Sequence, residues 1–266
     1  MRSAVLENDI QRVIELARKG ERVDGRKADE MRPLKVEIGF AENAEGSAKV
    51  TLGETVVLAG LKVEVGTPYP DSQDEGSISV GAEALPLAHA EYESGRPSAY
   101  EVEVSRVIDR GLRESKAIDF KELCIKEGEA VWVAYLDIYA LNGQGNLFDA
   151  GSIAALVTFQ NSKMPKIDKE NKIVKGEYSG SIKLKRLPLL TTFVKVGGKI
   201  FTDPSYMEEK AAEARFSVAT TDDDYMSAMQ KGHGGSFTVD EVNYMIEEGF
   251  KNTEKIRKQL KKDKLL

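Results

Sequence analysis

The chain has 266 residues, 38 basic and 44 acidic side chains and a net charge of −6, which excludes a protein that coats nucleic acid by bulk positive charge. A single cysteine, Cys124, excludes an intrachain disulfide and a thiolate zinc cluster, and two histidines, His89 and His233, argue against a multi-histidine metal centre. The opening residues lack the apolar core of a signal peptide and no apolar run reaches about 18 residues, so the expectation is a soluble, cytoplasmic protein with no membrane contact, no metal and no cofactor.

Residues 3–19 read as an amphipathic helix, with Leu6, Ile10, Val13, Ile14 and Ala17 at helical spacing and Gly20 as its stop. Its apolar stripe packs on its own domain or meets another subunit. Asp24-Gly25 marks a turn. Alternation at Val36, Ile38 and Phe40, at Ala48, Val50 and Leu52, and from Val57 to Val65 predicts antiparallel strands with one buried face. An acidic loop over 66–77 precedes a strand around 78–87.

Ser98 and Glu101 form a capping box, so a helix begins there. Val104, Val107, Ile108, Gly111 and Leu112 make its apolar face. Arg106, Arg110 and Arg113 recur at i, i+4 and i+7 on the opposite face. That row is open to two readings: a grip on phosphate oxygens, or a solvated face balanced by Glu103, Asp109 and Glu114.

Residues 130–141 carry apolar side chains at both parities and predict a strand covered on both faces. The turn Gly143-Gln144-Gly145-Asn146 opens a second helix that ends near Met164-Pro165. Backbone N–H groups at such a turn can hold an anion, although an ordinary glycine-rich strand-to-helix turn has the same pattern and Asp149 would repel phosphate. Residues 165–186 are polar and lysine-rich. Gly197-Gly198 joins two strands, and Asp222-Asp223-Asp224 reads as a turn before another strand. Glu208-Glu209 resembles a metal-binding pair by residue type alone. Thr238 and Glu241 cap the last helix, which runs into a basic tail. Cys124 reads as a small buried apolar residue. The order of elements is α+β with antiparallel strands dominant.

Several segments resemble the RNase PH family in the right order: Arg22-Val23-Asp24-Gly25-Arg26, Leu52-Gly53-Glu54-Thr55-Val56-Val57, the arginine helix, Phe148-Asp149-Ala150-Gly151-Ser152, Gly197-Gly198-Lys199-Ile200 and Gly232-His233-Gly234-Gly235. Within that family the chain is most similar to the non-catalytic RNase PH-like subunits of archaeal exosomes. The resemblance implies an RNase PH-type fold: antiparallel and mixed sheets with helices, in two β-α subdomains plus an N-terminal helix. The expected division is 1–20 for that helix, 21–164 for the first subdomain, 165–186 for a linker and 187–266 for the second subdomain with the tail.

The resemblance also implies function. Active relatives are phosphorolytic 3′→5′ exoribonucleases with carboxylates in a motif after the C-terminal hairpin. Here Lys210 and Arg215 stand where those relatives carry Asp. Arginine stays protonated at any usable pH and cannot act as a general acid, and neither residue positions a divalent ion. A Thr/Ser-rich phosphate loop in active members is replaced by Asn146-Leu147-Phe148-Asp149. The expectation is a subunit without its own active site, with Arg106, Arg110 and Arg113 on RNA. Implied partners are a catalytic RNase PH-like subunit, with three such pairs in a hexameric ring, RNA-binding cap subunits and RNA. Two alternatives remain: an active nuclease relying on Asp203, and a scaffold that never touches RNA. Charge is segregated accordingly, with nine acids and one arginine over 64–103 but five bases and three acids over 104–121.

Overall fold

The structure is a computed structural model that describes residues 4–266. Ser3, expected in the first helix, lies outside the described residues. Helix α1 (Ala4–Arg18) ends where Gly20 turns at φ +80°. Its stripe of Ile10, Val13 and Ala17 packs on Val194, Val196, Phe201 and Ala211, so its apolar face is satisfied within the chain.

The first sheet takes β1 (Leu34–Ile38), β2 (Gly46–Leu52), β3 (Thr55–Gly66), β4 (Ser77–Ala84), β5 (Cys124–Lys126) and β6 (Ala130–Asn142) in the order β1-β2-β3-β6-β4, with β5 on β6. All pairs are antiparallel except β4 with β6. Period-two alternation sends Val50 and Leu52 of β2, Val57 to Val63 of β3, and Leu136 and Ile138 of β6 to one face, where they are buried. The expectation of two covered faces fails for β6. Its other parity, with Tyr135 and Asp137, is exposed, because among the described residues no element lies over that side of the sheet. Cys124 likewise is half-buried on the short β5 rather than a core residue.

Two helices fill the space between the sheets. Helix α2 (Ala99–Glu114) starts at the Ser98/Glu101 capping box. Helix α3 (Leu147–Gln160) is buried from Leu147 to Phe159, which explains its apolar composition on every side. It ends at Gln160, capped by Asn161, short of the expected stop at Pro165. Gly151 lets α2 approach closely: a Cβ there would sit 2.8 Å from the Ile108 Cδ1. The segment expected as a linker contains a small hairpin, β7 (Pro165–Ile167) with β8 (Ile173–Tyr178).

The second sheet, ordered β10-β9-β11-β12, comprises β9 (Leu189–Val196), β10 (Lys199–Thr202), β11 (Ala214–Thr220) and β12 (Met226–Gly232). Its central strands β9 and β11 are the doubly covered ones. Leu189, Leu190 and Ala219 join the core around α3, whereas Phe193, Phe216 and Val218 pack with Met245 of α5 (Val239–Lys262). The short α4 (Tyr206–Ala211) sits between β10 and β11. Asp222 and Asp223 form the expected turn, accepting from the Leu187 N–H at 2.8 Å and the Arg186 Nε at 2.8 Å.

Candidate functional site

A cavity of about 600 Å³ opens between the start of α2, the loop before it, α4 and the loop after β12. Tyr92, Arg96, Tyr206 and His233 line it, together with Lys210 and Arg215. Each of the last two bases has captured a carboxylate. Lys210 pairs with Glu91 and lies 5.1 Å from the centre of the Tyr206 ring. The Arg215 Nη2 lies 2.5 Å from the Glu103 Oε1, and its guanidinium stacks 4.2 Å from the Phe148 ring. Arg215 is 3% exposed, so its charge depends on Glu103 and the ring face. Burial, then the neighbouring Arg215 charge, pushes the His233 imidazole below its ordinary pKa.

The glycine turn at the head of α3 is closed by the chain itself. Asn146 adopts the left-handed conformation at φ +56°, and its N–H donates to the Glu209 Oε1 at 2.9 Å. A half-buried carboxylate at the cavity wall therefore occupies the donor that an anion would use. Tyr206 N–H donates to the Gln144 carbonyl at 3.1 Å. Burial pushes the Glu209 carboxyl up to about 7, against the pull of the Asn146 N–H and Arg215. The carboxylate of Asp149, expected to oppose an anion at this turn, lies beneath it, fully buried, accepting from the Asn146 Nδ2 at 2.8 Å and the Thr192 N–H at 3.1 Å. Burial pushes it up to about 7 as well.

Asp203 is enclosed by the chain. It is buried at φ +50° and does not line the cavity. Arg32 binds it with a two-pronged fork, Arg26 adds a bond at 3.2 Å, and the Asn146 Nδ2 a further one at 2.7 Å. Burial raises its pKa, but the Arg32 hydrogen bonds and charge outweigh that and hold it below the ordinary value. Glu208 caps α4 from the N3 position and forms a buried pair with Arg22 at 2.6 Å, so the Glu208-Glu209 doublet is divided between two structural tasks.

The three arginines of α2 are not equivalent. Arg113 is held by Asp109 at 2.9 Å, by the Ile78 carbonyl at 3.1 Å and against the Phe120 ring. Arg110 is exposed and donates to the Gln230 Oε1 at 3.2 Å, a neutral partner. Arg106 is exposed, with no hydrogen bond or ion pair among the described residues. The helix therefore presents Arg106 and Arg110 to solvent. Sequence reasoning missed Glu103 and Gln230 as parts of this arrangement. Glu103 stood out only as a local partner of the arginines, and Gln230 lies 120 residues from Arg110 with no pattern linking them.

The 3′ exoribonuclease family models match in two parts, domain 1 over residues 30–165 and domain 2 over residues 186–252. The exosome complex component Rrp42 of Thermococcus gammatolerans is 40% identical over 252 residues, which is 94% of this chain and 92% of that protein. The Rrp42 of Methanopyrus kandleri is 41% identical over 94% of both chains. Among solved structures, a chain of the Archaeoglobus fulgidus exosome with RNA bound to the active site superposes with a TM-score of 0.91 at 36% identity, covering 97% of this chain and 100% of that one.

Proposed function

Because the chain belongs to the RNase PH-type 3′ exoribonuclease family, we propose that it is an exosome component that contacts RNA and leaves phosphorolysis to a homologous partner subunit. The observation that carries this reading is the pairing of the cavity's bases. Lys210 and Arg215, which the family resemblance sets where active relatives carry Asp, each bind a carboxylate, and Glu209 fills the N–H at the head of α3. A site built this way has no free general acid at the expected positions and no open anion cradle at that turn.

In this reading the chain pairs with a catalytic RNase PH-like subunit, three pairs form a hexameric ring with RNA-binding cap subunits, and the complex works in the cytoplasm. Arg106 and Arg110 reach phosphates of RNA held by the partner, through charge-assisted hydrogen bonds. The structure gives the Asp203 alternative no support, since Asp203 is enclosed by Arg26, Arg32 and Asn146. The test is phosphorolysis of poly(A) with inorganic phosphate. The purified chain alone should release no nucleoside diphosphate, and the assembled complex should. Robust release by the chain alone would overturn the non-catalytic assignment. Unchanged RNA affinity and salt dependence after Arg106, Arg110 and Arg113 are all changed to Glu would leave a scaffold without RNA contact.

A further inference from the structure

We propose that Arg215 is a positioning residue for the RNA-facing arginines of α2, acting through Glu103 and Gln230. The inference rests on the reading of α2 as an RNA contact. It gives the base in the inert cavity a task of its own.

Glu103 lies three residues before Arg106 on α2, a spacing at which an acid and a base on a helix meet and pair. The same helix shows what an acid does when nothing else claims it. Asp109, four residues before Arg113, takes that arginine at 2.9 Å. Glu103 does not take Arg106. Its Oε1 is held by the Arg215 Nη2 at 2.5 Å and by the Gln230 Nε2 at 3.1 Å. The Gln230 Oε1 in turn accepts from the Arg110 Nη1 at 3.2 Å. A continuous chain of contacts thus runs from a buried guanidinium on β11, through an acid on α2 and an amide on β12, to an exposed arginine on α2.

This chain has two consequences. Glu103 is drawn toward the cavity and neutralised there, so Arg106 keeps its full charge and its donors for a phosphate. Arg110 is steadied by a neutral amide rather than by a carboxylate, so its charge also remains available. Removing the Arg215 charge would leave Glu103 with the Gln230 amide alone. Arg106, three residues on along the same helix face, is then placed to pair with it, and that pairing would lower the positive potential presented to RNA.

The test is a double-mutant cycle in the assembled complex, with binding of single-stranded oligo(A) measured over a series of salt concentrations. Arg215→Met should weaken binding about fivefold and lower the salt slope by about 0.7, the value for one phosphate contact on a single strand. Glu103→Gln should leave binding equal or tighter. Arg215→Met combined with Glu103→Gln should return both affinity and slope to within about twofold of the parent, because the acid that would compete for Arg106 is gone. Arg215→Lys keeps the buried charge and guards against a folding failure, and should behave like the parent. The proposal is overturned if Arg215→Met has no effect, if its loss is the same in the Glu103→Gln background, or if Arg215→Lys loses slope that Glu103→Gln does not return. The underlying reading is checked separately: if Arg106→Gln with Arg110→Gln leaves RNA binding unchanged, α2 is not the RNA contact, whatever the cycle shows.

Discussion

Arg32 and Asp203, 171 residues apart, meet in a two-pronged ion pair: the Arg32 Nη2 lies 2.7 Å from the Asp203 Oδ1 and its Nε 2.9 Å from the Oδ2. The Arg32 N–H adds a third bond to the Asp203 Oδ2 at 2.8 Å, and its Nη1 reaches the Gln144 carbonyl at 2.9 Å. One guanidinium thereby ties the segment before β1 to the turn before α3 and to the end of β10. Removing it would leave a buried carboxylate with only Arg26 and the Asn146 amide as partners. Arg32→Met should therefore destabilise the chain by about 3–5 kcal/mol, the usual cost of breaking a buried pair from one side. Urea denaturation of the complex reads this, and a loss below about 1 kcal/mol would show that the fork is dispensable.

Glu209 predicts a pH dependence of opposite sign to that of an ordinary paired acid. Its carboxyl is raised from 4.5 to about 7, so the folded state holds a proton that the unfolded state has released. Its contribution is fully present below about pH 4.5 and is lost as pH rises through about 7. Asp149 acts in the same direction. The depressed His233 acts the other way below its ordinary pKa of 6.5, so the comparison is made between parent and Glu209→Gln. The parent should lose stability relative to the variant between pH 5 and pH 8, by on the order of 1–3 kcal/mol. Parallel stability curves would refute the assignment.

Gly145 should not tolerate a side chain. It sits at φ +91°, and a Cβ would lie 2.4 Å from the Tyr206 nitrogen and 2.7 Å from the Pro204 carbonyl oxygen, both backbone atoms that cannot swing aside. Gly145→Ala should cost about 2 kcal/mol or more and loosen the seal of α4 over the head of α3. Hydrogen exchange at the Asn146 amide, now held by Glu209, reports that loosening. Unchanged protection would argue that α4 is seated by other contacts.

The α2 arginines should rank by how occupied they are. Arg106→Gln should lower the salt slope of oligo(A) binding by about 0.7, whereas Arg113→Gln, already committed to Asp109 and Ile78, should change it less. Equal effects would mean that RNA pulls Arg113 away from Asp109 on binding.

Much of the fold was legible because its signals are local. The capping boxes at Ser98/Glu101 and Thr238/Glu241 span three residues each, and both helices begin there. Strand alternation predicted the buried face of β2 and β3. It misled at β6, where apolar composition at both parities was read as double burial. Composition tells what a face tolerates, whereas burial depends on whether another element is laid over it. The doubly covered strands are β9 and β11, enclosed by α3 and by α5 from far along the chain.

The sequence by itself determined the family resemblance, the helix and strand periods, the row of arginines on α2 and the presence of bases at 210 and 215. Each is a matter of residue identity or short spacing, and backbone geometry repeats every 3.6 or 2 residues regardless of the rest of the molecule. Only the tertiary structure decided which of those charges are spent. Asp203 meets Arg32, Glu209 meets Asn146 and Arg110 meets Gln230 through chain separations of 171, 63 and 120 residues. A charge is available to a ligand only when no nearer partner has desolvated and claimed it, and nearness here is set by how the two sheets close around α3.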